Sequence, residues 1–318
     1  MKSSAGTLPE LKKHSFAIDL VKRLLKEKPL GTIGAAIFLA LLLVGIFASF
    51  VAPYGMNETH VADRLLPPSP TYLLGTDQLG RDLLSEIIFG ARISVVIGIS
   101  ASLIGTTIAT VIGGLSAWFG GLPDLIVQRL VDAWMSIPGL LLAITVMSIV
   151  PRGVFPIIIV ISITAGIGGS RVLRSAVIGI KEKIYIQAGQ AIGCSTQRLL
   201  MRHVLPNIMG PVIITFTLGV GSAILVESGL SFLGFGVPPG IPTWGSMLSL
   251  QGRQYMEIAP GIALYPGIAL SLTVYGINVF GDALRDLTDP RLRGGLGRYG
   301  RSKKSLLKLG KKTGPHGS

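Results

Sequence analysis

Residues 93–123 read ISVVIGISASLIGTTIATVIGGLSAWFGGLP and contain no charged side chain. A helix of about 20 apolar residues crosses the hydrocarbon core of a membrane, so this stretch is long enough to span it. Another charge-free stretch, residues 228–252, is rich in proline and glycine between Pro238 and Pro242, and we expect a loop there. The pattern predicts an all-α polytopic membrane protein with six transmembrane helices, at residues 31–52, 93–118, 133–150, 154–171, 208–232 and 260–282.

The composition agrees with a membrane protein. Of the 318 residues, 49% are hydrophobic and only 14% are charged, whereas a soluble domain carries about 25% charged residues. The single cysteine, Cys194, cannot form an internal disulfide, which excludes a disulfide-stapled scaffold.

The net charge of +13 is distributed unevenly along the chain. Most of the lysines and arginines lie in the tail through Lys28, in residues 171–202, or in the tail from Arg285. Because positive residues mark the cytoplasmic side, both termini are expected there, and nucleic acid is not an expected partner. We therefore expect a basic tail over 1–30, a transmembrane domain over 31–283 and a second basic tail over 284–318.

The apolar residues among the lysines of residues 1–28 predict either a basic amphipathic helix on membrane lipid or a frayed tail.

Small residues recur every four positions along the second predicted span. Such a stripe lets two helix backbones approach closely inside a membrane. It predicts a helix–helix seam, either with another span of this chain or with a partner. The stripe consists of Ala101, Gly105, Ala109, Gly113 and Ala117.

Acidic residues are sparse near the predicted spans. Glu227 and Asp282 lie near span ends, and Asp132 is placed to pair with Arg129 three residues earlier. They form no ladder across the membrane of the kind that a proton relay requires. A stand-alone secondary carrier is therefore the less favoured alternative.

Residues 171–207 are too polar to span and are expected to form two short helices. Gly193 suits a left-handed turn between them, and Ser195 or Thr196 suits the cap of the second. Pro206 is expected to end that helix or to begin the next span. Ala188, Gly189 and Ala191 predict a smooth face that fits a groove on another protein.

This segment resembles the coupling-loop signature of ABC importer permeases. Residues 187–189 (QAG) match its opening Glu-Ala-Ala, and the later matches are Gly193, Leu205 and Pro206. Gln187, Gly189 and His203 depart from the signature. The resemblance implies that residues 172–207 dock on a cytoplasmic ATPase. The candidate coupling residues are Tyr185, Gln187, Ala188, Gly189, Ala191, Gly193, Arg198, His203, Leu205 and Pro206.

Residues 74–85 (LGTDQLGRDLLS) and 90–94 (GARIS) resemble the second permease of dipeptide, oligopeptide and nickel importers. Their pattern predicts a short interfacial helix that Asp77 caps. Its apolar face would hold Leu79 and its neighbours, with Arg81, Asp82 and Glu86 in water. Two interpretations of the block stay open, a structural clamp or a direct substrate contact.

Residues 227–245 and 281–293 resemble the same family. Glu227 either lines a substrate vestibule or is a satisfied structural carboxylate. Trp244 is expected to anchor its loop at the membrane surface.

The resemblance implies a type I permease bundle that forms half of a translocation pathway for di- or oligopeptides. The implied partners are a homologous second permease, two ABC ATPase subunits and an extracytoplasmic solute-binding protein. The sequence has no phosphate-binding G-x-x-x-x-G-K-[ST] motif, so we expect no enzymatic activity, with ATP and Mg²⁺ bound by the partner ATPases. No catalytic, cofactor or metal site is expected in this chain. Import of nickel or another small solute is the alternative within the family.

Overall fold

The computed structural model describes residues 16–249 and 254–288. Every regular element within these residues is a helix. The helices are α1 Phe16–Glu27, α2 Pro29–Ile46, α3 Ala48–Val51, α4 Leu83–Phe119, α5 Gly121–Met135, α6 Gly139–Ile149, α7 Val154–Lys181, α8 Ile184–Ala191, α9 Thr196–Leu199, α10 Leu205–Phe232, α11 Trp244–Met247 and α12 Gly261–Thr288.

Five rods are each long and apolar enough to cross a membrane: α2, α4, α7, the continuous α9–α10 and α12. The helices α5 and α6 are long and apolar enough only when taken together, with a bend of 80° between them, and counting this pair as one span gives the six that were predicted. The third span differs from its expected form over 133–150, because the chain breaks at residues 136–138. Pro138 explains the break, since a proline disfavours the helical conformation of the residue before it.

The bundle has two different ends. At the α8 end, α4 and α7 end and α10 begins. Residues 182–204 connect α7 to α10 at this end. At the loop end are residues 53–82, residues 150–153 and residues 233–249, in which only short helical turns form.

The small-residue stripe of α4 packs against α7 of the same chain. A Cβ on Gly105 would stand 3.1 Å from the carbonyl oxygen of Ser162, and one on Gly113 would overlap the carbonyl oxygen of Ser170. Gly166 of α7 approaches the carbonyl of Gly105 in return. The seam predicted from the sequence is therefore internal, and it holds two spans at backbone contact.

The other spans pack onto this pair. Ser102 of α4 donates a hydrogen bond of 2.6 Å to the carbonyl of Phe216 in α10. At the periphery α2 lies on α12, where a Cβ on Gly34 would be 2.5 Å from the carbonyl oxygen of Gly276. Small residues permit each approach.

The basic N-terminal segment forms α1, which confirms a helix over its second half. Leu24 is buried against α12, and Lys28 Nζ lies 2.6 Å from Asp286 Oδ2. Residues 1–15 and 289–318, and with them half of the first predicted basic tail and most of the second, lie outside the described residues.

We expect Gly113→Ala to destabilise the bundle although alanine is the better helix former. Its Cβ meets a backbone carbonyl, which cannot rotate away, and such overpacking costs about 1–3 kcal/mol. Gly114→Ala is the matched control, because a Cβ there has nothing within 4 Å. Thermal unfolding of the two purified variants in detergent measures the difference. Equal midpoints would contradict the seam.

Candidate functional site

A helix–turn–helix elbow, residues 184–199, lies at the α8 end. Gly193 adopts φ +79°, the N–H of Cys194 bonds to the carbonyl of Gly189, and the N–H of Gly193 bonds to that of Gln190. These two bonds form a Schellman cap. The Ser195 hydroxyl then accepts the N–H of Arg198 at 3.4 Å. The turn predicted at Gly193 is confirmed, with Ser195 as the cap.

One side of the elbow is anchored in the bundle. Ile186 of α8 is fully buried and packs in a cluster with Trp118, Val177, Leu199 and other apolar residues from the ends of α4, α7 and α10. Burying such side chains stabilises the contact by about 1.5–3 kcal/mol each. The elbow is therefore packed onto three spans.

Gly189 also lies on this packed side. A Cβ there would come within 2.9 Å of Leu199 Cδ2, so Gly189 is not part of the smooth exposed face that we expected. Absence of a side chain at Gly189 lets α8 lie close to α9.

The opposite face of α8 is exposed and largely apolar. Four of its five residues follow helical spacing, at i, i+4, i+7 and i+8, and the fifth lies at i+1. The face comprises Ile184, Tyr185, Ala188, Ala191 and Ile192. Gln187 is exposed beside it and bonds only weakly, at 3.5 Å, to the carbonyl of Glu182.

The second arm of the elbow continues into α10 through a π-helical turn, Leu200–Val204. Pro206 has no backbone N–H to donate. The N–H of Leu205, just before it, donates to the carbonyl of Leu200, five residues back, which is the π-helical hydrogen bond. Pro206 is thus the second residue of α10, within the rod that α9 and α10 form. The His203 ring lies 6.4 Å from the ring of Tyr185, which links the two arms. Arg198 and Pro206 are exposed, and Leu205 is half-buried.

The loop end contains a buried ionic cluster instead of the expected interfacial helix. Arg81 pairs with Asp77 at 2.7 Å and with Glu86 at 3.2 Å. Asp77 also accepts the N–H groups of Leu79 and Arg81, so its carboxylate serves its own loop. The cap of α4 is Asp82, which accepts the N–H of Ser85 at 2.9 Å.

Three expectations for this block are therefore wrong. Helix α4 begins at Leu83 and continues through the bundle, Asp82 caps it in place of Asp77, and the side chains of Asp82, Arg81 and Glu86 are largely buried instead of forming an exposed polar face. The physical reason is pairing, since a buried carboxylate is tolerated when an arginine or N–H groups satisfy it. Leu79, expected on the apolar face of that helix, lies in the loop before α4 and is exposed.

The same loop is held by an aromatic group. Tyr72 stacks on Tyr54, with ring centroids 5.4 Å apart, and its hydroxyl donates to Asp63 at 2.9 Å. This hydrogen bond, with burial second, raises the pKa of Tyr72 to about 12, because ionisation would leave two anions in contact.

Glu227 and Trp244 are both fully buried. Ser231 donates to Glu227 Oε1 at 2.8 Å, so the carboxylate is satisfied by hydroxyl groups. Trp244 Nε1 donates to the carbonyl of Ile87 at 3.2 Å, between α11 and α4. Trp244 is therefore not an anchor at the membrane surface, and the geometry of Glu227 matches the structural carboxylate.

A cavity of about 490 Å³ opens at the loop end. Asp77 and Arg81 line it, whereas Asp82, Glu227 and Trp244 do not. Glu86 and Arg152 line it as well, with residues 236–242. Sequence reasoning missed Arg152, whose only signal was a lone charge between two spans. Within the described residues, no three His, Cys, Asp or Glu side chains are grouped to hold a metal ion.

Ion pairs also join α5 to its neighbours. The expected pair between Arg129 and Asp132, which lies within α5, is confirmed at 3.8 Å. The sequence did not predict that Asp132 also pairs with Arg171, or that Arg174 pairs with Asp124 at 2.5 Å, because both cross between helices distant in sequence.

Comparison with known proteins places these features in one family. Residues 105–294 match the model of the binding-protein-dependent transport system inner membrane component, and residues 15–68 match the N-terminal transmembrane domain of oligopeptide transport permease C. The fold resembles the MetNI methionine ABC transporter in inward-facing conformations, with a TM-score of 0.53 and 17% identity over 64% of this chain and 97% of that one.

Curated relatives match over nearly the full length. The oligopeptide transport system permease protein OppC of Bacillus subtilis is 37% identical over 92% of this chain and 95% of its own. The glutathione transport system permease protein GsiD of Pectobacterium atrosepticum is 34% identical over 92% and 98%. The dipeptide transport system permease protein DppC of Alkalihalophilus pseudofirmus is 36% identical over 85% and 88%. The chain therefore belongs to the family of binding-protein-dependent transport system inner membrane components, the multi-pass membrane permeases of ABC transporters.

Proposed function

We propose that this chain pairs with a homologous permease to form the pathway of an importer for di- or oligopeptides. Two cytoplasmic ABC ATPases bind ATP and Mg²⁺ and dock at the α8 end, and an extracytoplasmic binding protein delivers solute at the loop end. Both basic tails are then cytoplasmic, as their charge predicts. The observation that carries the proposal is the exposed apolar face of α8 on an elbow that is otherwise packed into the bundle.

The shape of the elbow supports docking on a protein. Ile184 and Ile192 are more than four-fifths exposed at the two ends of α8, and the small Ala188 lies between them. An amphipathic helix that presents anchors at this spacing fits a hydrophobic groove. Because the elbow is connected to three spans, a displacement of α8 is transmitted to them.

The mechanism is a linkage between two states of the bundle. The ATPases bind nucleotide more tightly in one arrangement, and this difference in affinity shifts the permease from inward-facing to outward-facing. The coupling free energy passes through the contact at α8.

The substrate class is inferred from the relatives, whose names specify oligopeptides, dipeptides and glutathione. The loop-end cavity supports it, because Arg81 and Arg152 line the cavity together with Asp77 and Glu86. Such a polar, charged lining suits a solute that carries charge, as a short peptide does.

The direct test is ATP hydrolysis by the complete complex in vesicles. We expect short peptides, added with the binding protein, to stimulate hydrolysis, because substrate loading favours the state that closes the ATPases. Stimulation by nickel in place of peptides would assign the alternative substrate. Uptake by this chain without ATPase partners would instead identify a secondary carrier.

We expect Ala188→Glu to uncouple hydrolysis from uptake. A carboxylate on the exposed face would be buried without a partner in the ATPase groove, which costs several kcal/mol. Peptide uptake should fall while the permease pair still assembles. Gln190→Glu, also exposed on α8 but outside the apolar face, is the control and should retain uptake. Equal uptake by the two variants would argue against docking through this face.

We expect Gly193→Val to weaken coupling and Gly193→Asn to retain most of it. The left-handed φ of +79° costs a residue with a Cβ about 1–2 kcal/mol, and asparagine tolerates it better than valine. Open space surrounds the position, so sterics do not enter. Peptide-stimulated ATPase activity of the two variants provides the measurement, and identical values would contradict a rigid elbow.

A further inference from the structure

Helix α5 begins at a pair of glycines and ends at a sharp bend in the chain. Gly120, which precedes it, and Gly121, its first residue, have φ of +65° and +59°, a conformation that favours glycine. After it, the chain breaks before Pro138 and turns by 80° into α6. Short linkers with such dihedral freedom are where rigid segments pivot.

Apolar packing holds α5 only weakly. Among its residues, all of which the structure describes, only Val131 is buried. Leu122, Ile126 and Leu130 are exposed. A helix with so little buried surface needs other contacts to keep its position in the bundle.

Charge supplies those contacts, and the strongest is between Arg174 of α7 and Asp124 of α5. Arg174 Nε lies 2.8 Å from Asp124 Oδ1, and Nη2 lies 2.5 Å from Oδ2. Ser116 of α4 donates to the same carboxylate, and Gln128 donates to Ser116 at 3.1 Å. The two parallel bonds of a guanidinium on a carboxylate fix orientation as well as distance.

A second pair, between Arg171 and Asp132, lies one turn earlier on α7. Both of its side chains are nearly half exposed, whereas those of Arg174 and Asp124 are 30% and 14% exposed. Exposed pairs contribute little, so the Arg174 pair is the main tie.

Arg174 is also connected to the elbow. It lies two turns before Lys181, the last residue of α7, and Lys181 Nζ donates to the carbonyl of Trp118 at 2.6 Å. Trp118 and Val177 are buried together with Ile186 of α8. The ends of α4 and α7, the elbow and the start of α10 therefore form one packed body.

We propose that Arg174 and Asp124 are positioning residues that latch α5 to this body, so that a displacement of α8 carries α5 and, through the bend, α6. The inference rests on the proposed function, because it specifies how force from an ATPase reaches a span that does not pack on the elbow. Neither residue is assigned a contact with solute.

The first experiment uses the complete complex in vesicles. For Arg174→Gln and Asp124→Asn we expect ATP hydrolysis to persist while uptake falls at least about fivefold, the lower end of typical coupling effects. Arg174→Lys keeps the charge without the paired geometry and should lie between. Arg129→Gln is the matched control: Arg129 is a mostly exposed arginine 3.8 Å from Asp132, and its loss should leave coupling unchanged. Parent-like coupling in both latch variants overturns the proposal.

A second measurement tests the latch in a complex that retains both Arg174 and Asp124. Spin labels at Leu125→Cys on α5 and Glu182→Cys beside α8, both exposed, are placed in a Cys194→Ser background. The latch predicts one narrow distance distribution that is the same without nucleotide and in the vanadate-trapped state. Adding Arg174→Gln should broaden it. A distance that changes between the two states without that substitution overturns the latch.

The two proposals fail in different ways. A parent complex with no ATPase subunits bound, or with no stimulation by solute, contradicts the proposed function. A parent complex that couples normally, beside latch variants that couple equally well, contradicts only the latch.

Discussion

The close approach of α4 and α7 is the constraint on which the rest of the bundle depends. Inside a membrane, apolar side chains gain nothing from leaving lipid for one another, so helices associate through packing of small residues. Gly105, Gly113 and Gly166 bring two backbones into contact along most of the seam. With this pair in place, α10 packs on α4, and the helices that form the two ends are held in a defined arrangement.

The two ends of the bundle are built from different interactions. The α8 end combines a buried apolar cluster around Ile186 with an exposed apolar face, an arrangement suited to transmitting a push. The loop end combines the buried pairs of Arg81 with a cavity lined by charged groups, an arrangement suited to polar solutes. The proposed latch extends the first end to α5, which apolar packing hardly reaches.

Local signals allowed much of the elbow to be predicted. A glycine between two short helical patterns indicates a left-handed turn, and Gly193 and Ser195 form the expected caps. The sequence did not predict on which side of α8 Gly189 lies. Adjacent residues on a helix point about 100° apart, and only the packing against Leu199 shows that Gly189 is on the side that faces the bundle. Similarly, the polarity of Arg81 and Glu86 indicated water, whereas mutual pairing allowed burial.

The sequence by itself determined the membrane class, the approximate spans, the internal seam's residues and the elbow, since each follows from composition or from periodicity within one segment. Only the tertiary structure decided which helix meets the stripe, which carboxylates are buried and which arginine binds α5. Those outcomes depend on contacts between residues far apart in the chain, such as Asp124 and Arg174, and the spacing along one segment contains no information about such pairs.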